Sequence, residues 1–340
     1  MKKANGLTKW ACIFLLLSPL ALAQNEHAFV WSSTTGMTDL GTLGGNSSYA
    51  LQINDSGEVV GWSYLSDNVT THAFTWTAAG GMVDVGTLPG GCCSQGSAIN
   101  SAGNLAGDAI DSEGYQTPFY WSPASGMLSM GVFTGDQRNY GFGINNLNQV
   151  TGQVYSGEVV NAFLWEPPGP FMPLGHLPGG LHSVGIGINN NTVIVGTASL
   201  PTCCSFTGMI WSPGAGMHDI GLLPGGTYTA AESINDSNEI VGWGYTNSSA
   251  TKASAFYFTM AGGHHLLSTL GGDQTYAWGI SAKGFISGYS QLPGDTATHA
   301  VLWNSYSSTP TDLGTLPGGV NSYARGLNNA LQVVGNADVP

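Results

Sequence analysis

The stretch from His27 to Ser63, HAFVWSSTTGMTDLGTLGGNSSYALQINDSGEVVGWS, decides the fold, because the chain repeats it seven times. The aromatic that closes its first segment recurs at Trp31, Trp76, Trp121, Trp165, Trp211, Phe258 and Trp303, at spacings of 44 to 47 residues. The Val-Val-Gly glycine recurs in step at Gly61, Gly107, Gly152, Gly196, Gly242, Gly288 and Gly335. A third marker, Ile53-Asn54, returns as Ile99-Asn100, Ile144-Asn145, Ile188-Asn189 and Ile234-Asn235, then relaxes to Ile280-Ser281 and Leu327-Asn328. In every copy the glycine lies eight positions after this Ile, or after Leu327 in the last copy. A period this long, held by three markers in register, is the mark of a repeat architecture.

Each copy contains four short strand-like runs divided by turn residues. In the second they are Ala73 to Trp76, Met82 to Leu88, Ser97 to Asn100 and Asn104 to Ala109. Inside the Ile-to-Gly span, Gly57, Gly103, Asn148, Asn238 and Gly284 share one position, where a tight hairpin needs positive φ. Thr192 and Leu331 occupy that position in the other two copies, so those hairpins should be strained or differently shaped. Four antiparallel strands per repeat of about 45 residues match a propeller blade. The expected fold is all-β, a seven-bladed β-propeller of four-stranded antiparallel blades.

Small residues cluster just before each Ile-Asn, at Ala50, Ala98, Gly141, Gly185, Ala230, Ala277 and Ala324, as crowding around an axis demands. The Ile-Asn strand is therefore expected innermost, followed outward by Val-Val-Gly, HAFxW and DLGTL. With that phase the last blade takes two inner strands from Ser322 to Val339 and two outer strands from Ala28 to Leu43. Strands from both termini thus close the ring and leave no open seam.

Residues 1–23 read as a signal peptide: Lys2, Lys3 and Lys9 precede the apolar run Trp10 to Leu22, and Ala21-Leu22-Ala23 is a small-x-small cleavage site. The run is too short for a membrane span, and no later stretch reaches the roughly 20 apolar residues a span needs. Residues 24–340 then form one secreted domain, extracellular or periplasmic. Without the leader, only Arg138, Lys252, Lys283 and Arg325 face 20 acidic residues. Nucleic acid is excluded as a partner, since phosphate binding needs clustered Lys and Arg. Charged residues are 8% of the chain against about 25% in an average soluble protein. Solubility falls to Ser, Thr, Asn and turn backbone, as in short-stranded β-proteins.

The pattern HAFxW, GMxDLGTLxGG, SxAxxIN, GxVVGxS resembles a bacterial extracellular repeat family named after its His-Ala-Phe signature. It is fullest at His27-Ala28-Phe29-Val30-Trp31, at Asp39 to Gly45, and at His72-Ala73-Phe74-Thr75-Trp76, with a near match at His299-Ala300-Val301-Leu302-Trp303. The likeness covers essentially all of residues 24–340. It implies secretion and a repeat fold, and it brings no catalytic residues with it.

The recurrent His27, His72 and His299 hold one repeat position and are expected to serve one structural role. His264-His265 stand where other copies read Asp-Leu; neighbours on a strand point to opposite faces, so the two do not share a metal. Cys92-Cys93 and Cys203-Cys204 are adjacent pairs without zinc spacing. They are candidates for strained adjacent disulfides or free thiols, in loops on one face. Asp55 to Glu58 and Asp236 to Glu239 look like calcium loops but fit hairpin-turn chemistry more simply. Glu158, Glu166, Asp136 and Arg138 depart from the repeat without forming an acid-base pair. No nucleophile elbow, phosphate loop or HExxH is present, so no catalytic residue, metal ligand or cofactor is assigned.

The candidate binding residues are aromatic: Trp62, Tyr64, Trp243, Tyr245 and Tyr289 follow the Val-Val-Gly glycine and lead toward the loop of most variable length. From Gly61 to Trp76 is 15 residues, and other copies give 13 to 16. Variable loops on a rigid scaffold are where binding resides, and Trp and Tyr stack on sugars or bury an apolar surface. Packing between blades would use the same aromatics. The expected function is a non-enzymatic binding scaffold for a glycan or a protein partner. The alternative is a carbohydrate-active or other hydrolytic enzyme with its site at the axis, where Glu232 and Arg325 are the main charges on the inner strands. A structural matrix component is the third reading.

Overall fold

A computed structural model describes residues 25–131, 133, 138–201 and 205–340. The expected leader, Asp136, Cys203 and Cys204 lie outside the described residues. Seven four-stranded antiparallel sheets make up nearly all of the described chain, which forms a seven-bladed β-propeller. The innermost strands are Gly44–Ile53, Ser94–Ile99, Tyr140–Ile144, Ser183–Ile188, Thr229–Ile234, Thr275–Ile280 and Ser322–Leu327, in blades 1 to 7. Each touches the next around a closed ring. The expected phase is the observed one. In blade 7, Ser322–Leu327 pairs with Val333–Asp338, which pairs with Glu26–Ser32, which pairs with Gly36–Asp39. Strands from both ends of the described chain therefore share one sheet.

The markers explain themselves as contacts. The HAF aromatic is fully buried: Phe29, Phe74, Phe119, Phe163 and Phe256, with Met209 and Val301 in its place, are 0% exposed. Phe74 of blade 1 packs on Ala28, Val30, Leu40 and Val334 of blade 7, so the apolar core lies between blades and not within one. Each such side chain stabilises its seam by about 1.5–3 kcal/mol. The Trp of HAFxW pairs across the outer strands with the Met of the GM motif, at Trp31 with Met37 and Trp76 with Met82.

The Val-Val-Gly glycine answers a bulge. One residue before Gln52, Ala98, Gly143, Gly187, Ser233, Gly279 and Gly326, each inner strand skips register against its neighbour. The skip presses the inner strand onto the second, and a Cβ at Gly61 would lie 1.9 Å from the Tyr49 carbonyl oxygen. The same collision recurs at 1.9 to 2.1 Å at all seven positions. Glycine is there for lack of room.

The Asn of Ile-Asn builds a belt. Asn54 Oδ1 accepts the backbone N–H of Ser56 and Glu58, capping its own hairpin, while Nδ2 donates to the Asn100 carbonyl of the next blade at 3.1 Å. Asn100, Asn145, Asn189 and Asn235 repeat the donation, and Asn328 returns it to the Asn54 carbonyl at 3.0 Å, closing the circle. In blade 6 Ser281 is too short for the reach, and Lys283 makes the link instead, N–H and Nζ both donating to Asn329. At the opposite end Ser48, Ser94, Ser183, Thr229 and Ser322 accept a backbone N–H of the preceding blade and donate to one of its carbonyls.

Thr192 and Leu331 keep the common hairpin shape, at φ 61° each, with the same turn hydrogen bond as the glycine and asparagine copies. Strain, and not a new shape, is the consequence. Asp55 and Asp236 are turn residues that accept both the backbone and side-chain N–H of Asn329 and Asn190, respectively.

Candidate functional site

The bulged residue of each inner strand faces the axis. Around the ring these are Leu51, Ser97, Phe142, Ile186, Glu232, Trp278 and Arg325. All but Glu232 are partly exposed; Glu232 is 7% exposed. Polar character is concentrated in blades 5, 6 and 7, where Glu232, Trp278 and Arg325 follow one another.

Toward the end where the inner strands begin, a second tier lies on the first two strands of each blade. Cross-strand register pairs Tyr49 with Trp62, Tyr276 with Tyr289, and Ala230 with Trp243. The rings form a continuous crescent over blades 5 to 7. Tyr228 lies 5.0 Å from Trp243, Trp243 5.0 Å from Tyr276, Tyr276 4.8 Å from Tyr289, and Tyr289 5.1 Å from Tyr323. In blade 1 Trp62 stacks on Tyr49 at 4.2 Å and meets Tyr64 edge-on at 5.7 Å. The small Ala of HAF is what admits a Trp here, since Ala73 sits opposite Trp62 and Ala255 opposite Trp243.

Glu232 lies beneath this crescent. Trp243 Nε1 donates to its Oε1 at 2.9 Å, and its Oε2 is buried with no partner. Burial pushes its carboxyl up to about 7, while the Trp243 bond and the Arg325 charge pull the other way. The Arg325 guanidinium stacks 4.4 Å over the Trp278 ring and 5.8 Å from that of Tyr289, and its Nε is also without a partner. Tyr289 feels both charges, with burial holding its hydroxyl above the usual range. Next to the crescent, Glu26 is raised by burial despite hydrogen bonds from Tyr49 and Asn336.

Seen against known proteins, the chain is a propeller and no more specific than that. No family model and no curated protein sequence matches it. A protein described as a TolB from Agrobacterium tumefaciens aligns with TM-score 0.50 at 14% identity, over 72% of this chain and 88% of its own. TolB from Acinetobacter baumannii gives 0.50 at 8% identity, over 86% of this chain and 63% of that one. A structure from a study of two prolyl endopeptidases gives 0.52 at 10% identity; the chain spans 44% of its length, and 82% of this chain is matched. Identities this low carry fold alone.

The five aromatics singled out from sequence all lie at this one end of the blades. They sit within the second strands and not in the variable loops: Trp62 and Tyr64 in Val59–Leu65, Trp243 and Tyr245 in Ile240–Tyr245, and Tyr289 in Ile286–Gln291. Trp243 and Tyr289 are 9% and 8% exposed, whereas Trp62, Tyr64 and Tyr245 are half-buried. Sequence reasoning missed Tyr49, Tyr228, Tyr276 and Tyr323. The available signal was position, since Tyr49, Tyr276 and Tyr323 each follow a fully buried Ser or Thr of an inner strand.

A separate cavity of about 200 Å³ lies between blades 1 and 2, lined by Thr71 of blade 1 and by Cys93, Gln95, Asp108 and Gln116 of blade 2 among others. Burial pushes the Asp108 carboxyl up to about 7 against the hydrogen bond it receives from Gln116. Cys93 lines this cavity beside the exposed Cys92; both are free thiols, with their sulfurs 2.9 Å apart. The expected sharing of a face between the two loop types holds here, because Ile110 at the end of the second strand donates its N–H to the Cys93 carbonyl.

The recurrent histidines have a structural partner. His27, His72 and His299 each bind through Nδ1 the Asp of the neighbouring outermost strand, Asp39, Asp84 and Asp312, at 2.8 to 2.9 Å. The His264-His265 assignment needs correction. Phe256 pairs with Leu266 where Phe74 pairs with Asp84, so the two histidines occupy the Met-x positions and not Asp-Leu. They do point to opposite faces: His264 is wedged between Phe256 and Phe258, and His265 packs beside Tyr257 and Tyr306. Among the described residues no helix is long and apolar enough to cross a membrane, and no three His, Cys, Asp or Glu side chains cluster to hold a metal.

Proposed function

We propose that this chain is a secreted, non-enzymatic binding propeller that takes a carbohydrate at the aromatic end of its axis. The observation that carries the reading is the set of half-buried rings Trp62, Tyr64 and Tyr245 at one end of the blades, backed by the Trp62–Tyr49 stack and by a crescent over blades 5 to 7 whose Trp243, Tyr276 and Tyr289 are buried. Aromatic faces offer sugars a flat apolar platform, and the polar edges of Tyr and Trp serve the hydroxyls. A ring on the half-exposed Trp62, Tyr64 or Tyr245 would need little rearrangement of a blade.

A hydrolytic reading draws on one observation, the buried carboxyls Glu232, Asp108 and Asp338. Glycoside hydrolysis calls for a pair of carboxylates flanking one bond. Glu232 and Asp108 lie on blades 5 and 2, and neither is perturbed by a second carboxylate, whereas Asp338 faces Glu26 across blade 7 and adds to the rise of its carboxyl. Binding is the better-supported function.

The test is a titration of the secreted protein with a polysaccharide panel, followed by tryptophan fluorescence. Saturable quenching that weakens at least ~10-fold in Trp62→Ala is expected, in line with the 1–3 kcal/mol typical of a stacking contact. No saturable response from any polysaccharide would defeat the proposal and direct attention to protein partners.

A further inference from the structure

Cys92-Cys93 is a departure that the repeat does not require. The pair follows the turn Leu88-Pro89-Gly90-Gly91, whose hydrogen bond from the Gly91 N–H to the Leu88 carbonyl recurs at Gly180, Gly226 and Gly319. In those copies the next two residues are Leu181-His182, Thr227-Tyr228 and Val320-Asn321, so the turn itself makes no demand for sulfur. The backbone is held alike in all four. The Cys93 carbonyl accepts from Ile110, as the His182, Tyr228 and Asn321 carbonyls accept from Ser199, Tyr245 and Asp338.

On this fixed turn the two sulfurs lie 2.9 Å apart. A disulfide holds its sulfurs about 2.05 Å apart, so closing the bond takes a shift of under ~1 Å. Cys92 is exposed, and Cys93 is half-buried where it lines the cavity between blades 1 and 2. Among the described residues no third His, Cys, Asp or Glu joins them in a metal-holding cluster. A bond between neighbours in sequence is strained, because Cα atoms across a trans peptide lie about 3.8 Å apart, against roughly 4.4–6.8 Å in ordinary disulfides. Strain of this kind makes a disulfide easier to reduce.

We propose that Cys92 and Cys93 form a reversible vicinal disulfide, made by exchange with a small-molecule disulfide and opened by a small-molecule thiol. The exposed Cys92, as thiolate, attacks one sulfur of the donor and expels the other as a thiolate, leaving a mixed disulfide. Cys93, as thiolate, then attacks the Cys92 sulfur and expels the second donor thiolate. The two protons leaving the cysteines go to the two expelled thiolates, so two protein thiols are oxidised and one donor disulfide is reduced to two thiols. Closure replaces two weak S–H donors beside the cavity by a group that donates nothing.

The test is to incubate the reduced protein with oxidised glutathione, alkylate the remaining thiols and map the peptides by mass spectrometry. The peptide carrying Cys92 and Cys93 should lose both alkylatable thiols and two hydrogens, with no glutathione added. Millimolar reduced glutathione, without denaturant, should restore both thiols. A Cys203→Ser/Cys204→Ser double variant should behave identically, and Cys93→Ser should stop at a glutathione adduct on Cys92. A bridge from this peptide to Cys203 or Cys204, glutathione on both cysteines, or two thiols that stay alkylatable overturns the vicinal bond. A closed pair that resists reduced glutathione overturns its reversibility.

Discussion

Trp243 donates its indole N–H to Glu232 at 2.9 Å and so satisfies one oxygen of a buried carboxyl whose other oxygen has no partner. Half-satisfaction of this kind is a stability cost borne in the folded state, and it fixes the sign of a pH effect. Glu232 has its folded value pushed up to about 7 from an ordinary 4.5, so the folded chain holds the proton more tightly than the unfolded one. Stability contributed by this group is full below the unfolded value, declines as pH rises, and levels off above about 7.

Glu232→Gln should therefore be close to neutral at pH 4 and stabilising at pH 8, by an amount of the order of 3 kcal/mol. Asp108, also pushed up to about 7, predicts the same for Asp108→Asn. Urea unfolding at the two pH values checks both. A variant that is equally destabilised at pH 4 and pH 8 would show that the carboxyl is ionised in the folded protein.

The seven-fold glycine collision predicts a sharp contrast between two alanine substitutions. At Gly61 the added carbon would lie 1.9 Å from the Tyr49 oxygen, so strands must separate at the bulge. Gly61→Ala should cost about 3 kcal/mol or more in thermal or urea unfolding. Gly81, at φ +67° with open space around it, carries only the backbone penalty, and Gly81→Ala should cost about 1 kcal/mol.

The asparagine belt predicts one loss and one gain. Asn189→Ala removes two side-chain donations, to the Asn235 carbonyl and Asn238, and two acceptances from the backbone of Asn191 and Val193. The expected destabilisation is about 2–4 kcal/mol. Ser281→Asn restores the missing link of blade 6 and should raise stability by about 1 kcal/mol. A neutral Asn189→Ala would mean the belt is decorative.

Cys92 predicts a reactivity. Its hydrogen bond with Cys93, with burial adding to it, holds the thiol above its usual range. Alkylation of the Cys92 peptide at pH 8 should be several-fold slower than that of an unstructured cysteine, since only the thiolate reacts. Cys93→Ala should speed it up. An unchanged rate would deny the coupling.

The periodic part of the architecture was legible because each marker answers a local or repeating need. Ile53-to-Gly61 spacing encodes a hairpin, and the small residues at Ala50 or Gly185 encode crowding near the axis. What escaped was register between strands, which no single copy spells out. Trp62 reads as leading into a loop until it is seen opposite Tyr49. His264 reads as an aspartate replacement until Leu266 is seen opposite Phe256. The axial trio Glu232, Trp278 and Arg325 sits two residues before the Ile-Asn marker or its relaxed forms, and alignment on that marker places all three in one column. Their orientation toward the axis depends on the bulge, which exists only once two strands have paired.

Blade 7 sets an order on the birth of the molecule. Glu26–Ser32 is made first and finds its partner, Val333–Asp338, only after the rest of the described chain has been synthesised. Until then the earliest segment has no sheet to join, and the entropy of so large a loop opposes any early pairing. The ring cannot close before Val333–Asp338 has been made. The other six blades, each built from contiguous strands, can form before it does.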